Sequence, residues 1–227
     1  MLEAVRRNPT EFWLFAVLGV LVIVLSLASD QFATFVNATD LLNTSAINII
    51  FAMGLLVVLI SGAIDISFAV AASVVQYVTA MALMAIGGGN WAFGFLIAMG
   101  CGAILMGINA ALIYHFRIIS IVVTIATFNA FFGLLMFFTR GVSIYSLPDW
   151  WTDRIILWER ESASGAWAEI TLPVAVMAAC VVLTWLLIRY TSTGRQLYAY
   201  GDNPEGARRV GINEAAQHYI AFGWLGL

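Results

Sequence analysis

AINIIFAMGLLVVLISGAIDISFAVAASVVQYVTAMALMAI, residues Ala46 to Ile86, is a nearly unbroken apolar run. It is about twice the length of roughly 20 residues that one helix needs to cross the hydrocarbon core of a bilayer. Backbone amides in lipid have to be satisfied within the segment, so a run this long folds as two spans or as one span and a re-entrant break. The break falls at Ser61–Phe68, SGAIDISF, where Gly62 interrupts the helix and Asp65 brings a carboxylate that hydrocarbon does not accept. Asp65 must face water, a polar cavity, a cytoplasmic turn or a helix N-terminus, and either Asp65 or Ser67 is placed to cap the helix that follows. Two readings stand here: a kink beside a path through the membrane, or a cap with a structural duty alone.

Outward from this stretch the same pattern repeats. Apolar runs cover about Phe12–Ala28, Ala46–Ile64, Phe68–Ile86, Trp91–Tyr114, Ile118–Phe138 and Ile170–Ile188, and another starts near Ala215. Hydrophobic residues make up 62% of the chain and charged residues 10%, against about a quarter charged in ordinary soluble domains. The expected fold is an all-α polytopic membrane protein: about six complete transmembrane helices, the start of a seventh, a cytoplasmic N-terminus, and one membrane domain over residues 1–227. Arg6 and Arg7 before the first run and the small residues 26–29 after it also fit a cleaved signal peptide. The long apolar core and the spans that follow favour retention.

Arginine placement sets the orientation. With Arg6 and Arg7 in the cytoplasm, alternation brings Arg117, Arg189, Arg195, Arg208 and Arg209 to the same side, as the positive-inside rule requires. Residues 139–169 then form a periplasmic loop. It carries Trp150, Trp151, Trp158 and Trp167 and is expected to lie at the outer interface as an amphipathic cover. Residues 191–213 form a cytoplasmic loop.

Composition also excludes chemistry. Every basic residue apart from histidine is arginine, so no lysine is available for a phosphate-binding loop, a Schiff base or an amine nucleophile. Cys101 and Cys180 lie inside apolar runs and read as buried structural thiols. His115 and His218 stand apart from any cluster with metal-ligand spacing. No catalytic residue, metal site or cofactor is expected. A net charge of −3 spread over loops gives no reason to expect a nucleic-acid partner.

Polar side chains within the spans include Asn48, Asn109, Thr124, Thr127 and Asn129, and such groups commonly bond from helix to helix. Ser73, Gln76 and Thr79 are spaced to share one helical face. A neutral stripe of donors and acceptors suits an uncharged, hydroxylated solute. Candidate path residues are therefore Asp65, Ser67, Ser73, Gln76, Thr79 and Asn109.

The cytoplasmic loop TSTGRQLYAYGDNPEGARRVGI, residues Thr191 to Ile212, encodes a short capped helix. Asn203 is an N-cap, Pro204 suits the first helical position, and Glu205 complements the positive end of the dipole. Arg208 and Arg209 fall in the last turn, and Gly211 is set for the left-handed residue that ends a helix. An element of barely two turns is not stable alone. Held against spans and a neighbouring protein, it is the kind of part that hands force to a soluble partner.

Taken together, Leu56–Phe68, Gly107–Ile118 and Gly194–Ile212 resemble the permease subunits of bacterial ATP-binding-cassette importers for ribose-type sugars and autoinducer-2. In that family the intramembrane motif reads GGIDLSVG and the cytoplasmic loop G-x-N-x-x-A-A-R-x-x-G-I. The loop pattern is matched by Gly201, Asn203, Ala207, Arg208, Gly211 and Ile212, with Gly206 where alanine is usual; Ala63, Phe68 and Ala69 depart from the first motif. The resemblance implies a coupling helix, to which Gly201, Asp202, Asn203, Pro204, Glu205, Ala207, Arg208, Arg209 and Gly211 belong. It also implies partners: ATPase subunits, a second permease copy or homologue, a periplasmic solute-binding protein and a sugar-like substrate, in the bacterial inner membrane. Permeases of this family run further and complete more spans, so the chain reads as an N-terminal portion. The alternative is a secondary transporter or channel for a small neutral solute, which calls for intramembrane charge relays.

Overall fold

The computed structural model describes residues 9–145, 147–162 and 165–227. Arg6 and Arg7, on which the cytoplasmic N-terminus rests, lie outside them. The helices are α1 (Pro9–Ala28), α2 (Phe35–Ile60), α3 (Phe68–Ala85), α4 (Trp91–Phe116), α5 (Ser120–Thr139), α6 (Asp149–Thr152), α7 (Leu172–Tyr190), α8 (Ser192–Asp202), α9 (Pro204–Arg209) and α10 (Glu214–Gly226), with strands β1 (Ile156–Glu161) and β2 (Trp167–Thr171) between α6 and α7. Among the described residues, α2, α3, α4, α5 and α7 are long and apolar enough to cross a membrane, and α1 carries a shorter apolar stretch, Phe12–Ala28. Only 17–28% of each spanning window is buried within the chain. The rest of that apolar surface is of a kind that water penalises and lipid accepts. The chain is a multi-pass, helical membrane protein.

It divides into two compact units, one of residues up to Ala46 with Ile155–Ala175, the other of Ile47–Arg154 with Val176–Leu227. In the first, α2 begins at Phe35 rather than Ala46, because its early polar residues find local partners. The Thr39 hydroxyl donates to the Phe35 and Val36 carbonyls, and Asn37 Nδ2 donates to the Phe32 carbonyl at 2.8 Å. Within the segment expected as an interfacial cover lie strands β1 and β2. They pair antiparallel with an irregularity between Ile156 and Trp158, and Trp158 meets the Phe35 ring edge-on. Asn43 anchors β2: Nδ2 donates to the Glu169 carbonyl (2.8 Å), and Oδ1 accepts from the Thr171 amide (3.2 Å) and hydroxyl (2.6 Å).

In the second unit, α10 lies along α4, and α3 and α5 pack beside α4. The core holds Val57, Val58, Met106, Ala110, Leu197 and Phe222. At the crossing of α4 and α10, a Cβ on Gly102 would overlap the Gly226 carbonyl. Gly94 receives the Trp150 ring, whereas Gly100 and Gly107 meet nothing within 4 Å. Trp150 and Trp151, expected in the cover, belong to α6; the Trp150 indole donates to the Gly88 carbonyl at 2.9 Å and its ring centroid sits 5.1 Å from that of Trp91.

Candidate functional site

The break after α2 shows how a charged motif persists in an apolar chain. Gly62 adopts φ +80°, which ends α2 at Ile60 rather than Ile64; a Cβ is disfavoured there. The extended residues beyond it need donors and acceptors, and α5 supplies them. The Ile64 amide donates to Ser120 Oγ (2.9 Å), the Ile66 amide donates to Thr124 Oγ1 (3.2 Å), and the Thr124 hydroxyl faces the Ile64 carbonyl (3.3 Å). Ser120 and Thr124 are one turn apart, so a single face of α5 holds the break.

Asp65 then closes a polar cage. Its Oδ1 accepts from the Ser67 hydroxyl and the Phe68 amide, both at 2.9 Å, and its Oδ2 accepts from Asn109 Nδ2 at 3.0 Å. Asn109 Nδ2 also donates to Ser67 Oγ at 2.7 Å. Asp65 is 6% exposed, and Ser67 and Asn109 are fully buried. Ser67 occupies the N-cap position without a capping bond of its own. The cap comes from Asp65, one of the two residues offered for that duty, and it doubles as an anchor to α4.

Residues 191–213 hold two helices instead of one. Thr191 caps α8 by accepting from the Gly194 amide at 3.0 Å, and Asn203 caps α9 by accepting from the Gly206 amide at 2.9 Å, with Pro204 and Glu205 in its first turn. The exit is a Schellman pattern: the Ile212 amide donates to the Ala207 carbonyl (3.0 Å), the Gly211 amide to the Arg208 carbonyl (3.1 Å), and Gly211 has φ +85°. Thr191 ahead of a polar stretch was the signal for α8.

Each candidate coupling residue has its own direction. Gly201 faces inward: a Cβ there would collide with the Ile60 carbonyl and stand 3.1 Å from the Gly62 amide nitrogen. The two motifs of the sequence thus meet backbone to backbone. Ala207 is buried beneath α9. Arg208 turns back to Glu214 of α10, 3.5 Å away, while Arg209 pairs with Glu205 at 2.7 Å on the outer face, where their side chains are 77% and 70% exposed. Asp202, Asn203, Pro204 and Gly211 are exposed, and so is Val210, a residue missing from the sequence-based set.

Behind Arg208 a chain of polar groups runs inward, which sequence reading missed because its members lie on three elements. The Tyr200 hydroxyl donates to Glu214 Oε1 (2.9 Å) and lies 3.1 Å from His218 Nε2. Tyr200 has one proton and gives it to Glu214, so His218 Nε2 is the donor to Tyr200. Burial first, and the Glu214 contact second, hold the Tyr200 hydroxyl above the ordinary tyrosine range. It remains a proton donor at any physiological pH.

A cavity of about 690 Å³ lies in the same unit. Gln76 and Thr79 line it, together with Trp91, Trp150, Trp151 and Thr184, and none of its lining residues is charged. The Thr79 hydroxyl is buried without a partner. Ser73, expected on the same stripe, bonds back to the Ala69 carbonyl at 3.1 Å and is not among the lining residues. Asp65, Ser67 and Asn109 belong to the cage and do not line this cavity either. No group of three or more His, Cys, Asp or Glu suited to a metal occurs among the described residues.

Residues 37–227 match the family model described as branched-chain amino acid transport system / permease component. The autoinducer 2 import system permease protein LsrC of Photorhabdus luminescens is 30% identical over 225 residues, covering 98% of this chain and 64% of the relative. The ribose import permease protein RbsC of Bacillus subtilis (strain 168) is 29% identical over 210 residues, covering 92% of this chain and 63% of the relative. The chain thus spans a little under two thirds of the length of these relatives. No solved structure matches. The capped α9, the Asp65 break and the near-complete family match converge: this chain belongs to the branched-chain amino acid transport system permease component family.

Proposed function

We propose that the chain is the membrane-spanning permease part of an ATP-binding-cassette importer that moves a monosaccharide or similar polyol across the bacterial inner membrane. The observation that carries this reading is α9. It is a helix of six residues, capped at both ends, with Arg209, Glu205 and Val210 on its outer side, Ala207 buried beneath it and Arg208 directed at Glu214 of α10. A helix this short holds its shape only between fixed neighbours. Its outer side is the surface a cytoplasmic ATPase would grip, and its inner side is the one that would move the spans. ATP hydrolysis belongs to that separate subunit, a second permease copy or homologue completes the path, and a periplasmic binding protein delivers the solute. Closure of the ATPases displaces α9 as a rigid body, and the spans exchange between outward and inward access.

The named functions of the relatives support the solute class, since one imports ribose and others autoinducer 2. So does the cavity, whose polar groups are the neutral Gln76, Thr79 and Thr184 beside the four tryptophans Trp91, Trp150, Trp151 and Trp224. An amino-acid zwitterion needs fixed charges of both signs, whereas a polyol needs neutral hydrogen-bonding groups and apolar ring faces.

Co-purification tests the reading. Expressed together with an ATP-binding-cassette ATPase subunit, the chain is expected to retain it through solubilisation, and Val210→Glu or Arg209→Glu to release it while membrane insertion is unchanged. Retention of the ATPase by both variants would remove α9 from the contact.

A further inference from the structure

We propose that Tyr200 is the positioning residue of a latch, His218–Tyr200–Glu214–Arg208, that ties α9 to α10 and so carries the movement of the short helix into the transmembrane core. The inference rests on the coupling role given to α9 above, and adds the route by which its displacement travels.

Geometry carries it. Arg208, its side chain 45% exposed, is the arginine of α9 that reaches Glu214 in the first turn of α10, at 3.5 Å. Glu214 accepts in turn from the Tyr200 hydroxyl at 2.9 Å. Tyr200 is 5% exposed near the end of α8, with its ring edge-on to His218 at a centroid distance of 5.5 Å. His218 closes the series through Nε2 at 3.1 Å, one turn further along α10. One hydroxyl therefore joins α8 to two residues of α10, and Glu214 extends the link to Arg208 of α9. Glu214 cannot follow Arg208 without drawing on Tyr200, and Tyr200 cannot shift without moving His218.

Beyond His218 the path is packing. Ala221 and Phe222, in the next turn of α10, are fully buried in the core with Met106 and Ala110 of α4, and the chain then reaches the Gly102–Gly226 contact. That contact has no slack, so displacement of α10 moves α4 with it. A polar connector at the base and close-packed glycines above give a stiff linkage, where a flexible one would dissipate the motion.

The latch is separable from its partner by experiment. In the full chain in detergent with no ATPase present, Tyr200→Phe keeps the buried ring and removes only the bridging hydroxyl. Amides of residues 206–212 are expected to exchange hydrogen at least about tenfold faster than in the parent, the effect of losing a hydrogen bond to a charged group. Glu214→Gln keeps an acceptor for Tyr200 but loses the Arg208 charge pair, and is expected to give a smaller rise. In the assembled importer, Tyr200→Phe still binds the ATPase, while solute uptake falls about tenfold in rate at an unchanged half-saturation concentration. Unchanged exchange in Tyr200→Phe overturns the latch. Faster exchange with full uptake overturns its role in transmission. If the parent chain fails to bind any ATPase, the coupling role of α9 fails, and the exchange experiment still decides whether the latch exists.

Discussion

Gly201→Ala tests the meeting of the two motifs most directly. The added methyl points at the Ile60 carbonyl, with which it collides, and stands 3.1 Å from the Gly62 nitrogen. Backbone atoms line this contact, so no side chain can rotate away. Either α8 or the end of α2 has to move. Forced overpacking of this kind costs about 1–3 kcal/mol, while alanine recovers less than about 1 kcal/mol of helix propensity in a terminal turn. The net expectation is a loss of about 1–2 kcal/mol. The strain is directed: Gly62 leads straight into the Ile64 and Ile66 amides, which are held only by the Ser120 and Thr124 side chains. Hydrogen exchange at those two amides should rise about tenfold for each 1.4 kcal/mol transmitted, and the midpoint of unfolding in mixed detergent micelles should fall. Gly100→Ala is the control, because a methyl there meets nothing within 4 Å; its stability should change by no more than about 1 kcal/mol, in the stabilising direction. If Gly201→Ala matched Gly100→Ala in both measurements, the backbone contact between the motifs would be refuted.

Two further outcomes follow from the polar clusters. Asp65→Asn points an amide at the Asn109 amide and should cost about 1–3 kcal/mol in the same unfolding titration, and adding Asn109→Asp should recover at least half by restoring a donor facing an acceptor; a double variant no better than the sum of its parts would deny the cage. Tyr200 is neutral in the fold and its hydroxyl titrates above the ordinary value of 10.0. Its contribution to stability is fully present below about pH 10 and is lost as pH rises toward the folded-state value, because the unfolded chain releases the proton first. Alkaline unfolding should therefore be steeper in the parent than in Tyr200→Phe, and identical profiles would contradict the buried donor.

The parts of this fold that the sequence disclosed are those whose physics is local. Asn203, Pro204, Glu205 and Gly211 sit within a few residues of the bonds they make, so the beginning and end of α9 could be read without a tertiary contact. The missed parts need partners from elsewhere. Polar residues 37–45 masked the start of α2, which Asn37 and Thr39 hold locally and Asn43 ties to Thr171 and the Glu169 carbonyl. Helix α8 has glycines at 194 and 201, which propensity penalises, and both are required by backbone packed against them: the Leu187 and Ile188 carbonyls in one case, Ile60 in the other. Ser73, Gln76 and Thr79 have helical spacing, yet spacing alone does not say which hydroxyl bonds its own backbone and which meets the cavity.

The cage bears on the choice between classes of transporter. A carrier driven by an ion or proton gradient needs an intramembrane carboxylate free to exchange partners as access alternates. Asp65 is the acidic residue that the spans offered for that duty. Its two oxygens accept from Ser67, Phe68 and Asn109, and its position is fixed from α5 through the backbone on either side. Releasing it would uncap α3 and leave the buried Asn109 amide without its acid partner. A group bound this way acts as a fastener between α3 and α4, and the backbone it fastens begins at Gly62, against Gly201 of α8. A carboxylate fixed in this way does not suit a gradient-driven relay, which favours the proposed permease worked by a separate ATPase over the alternative.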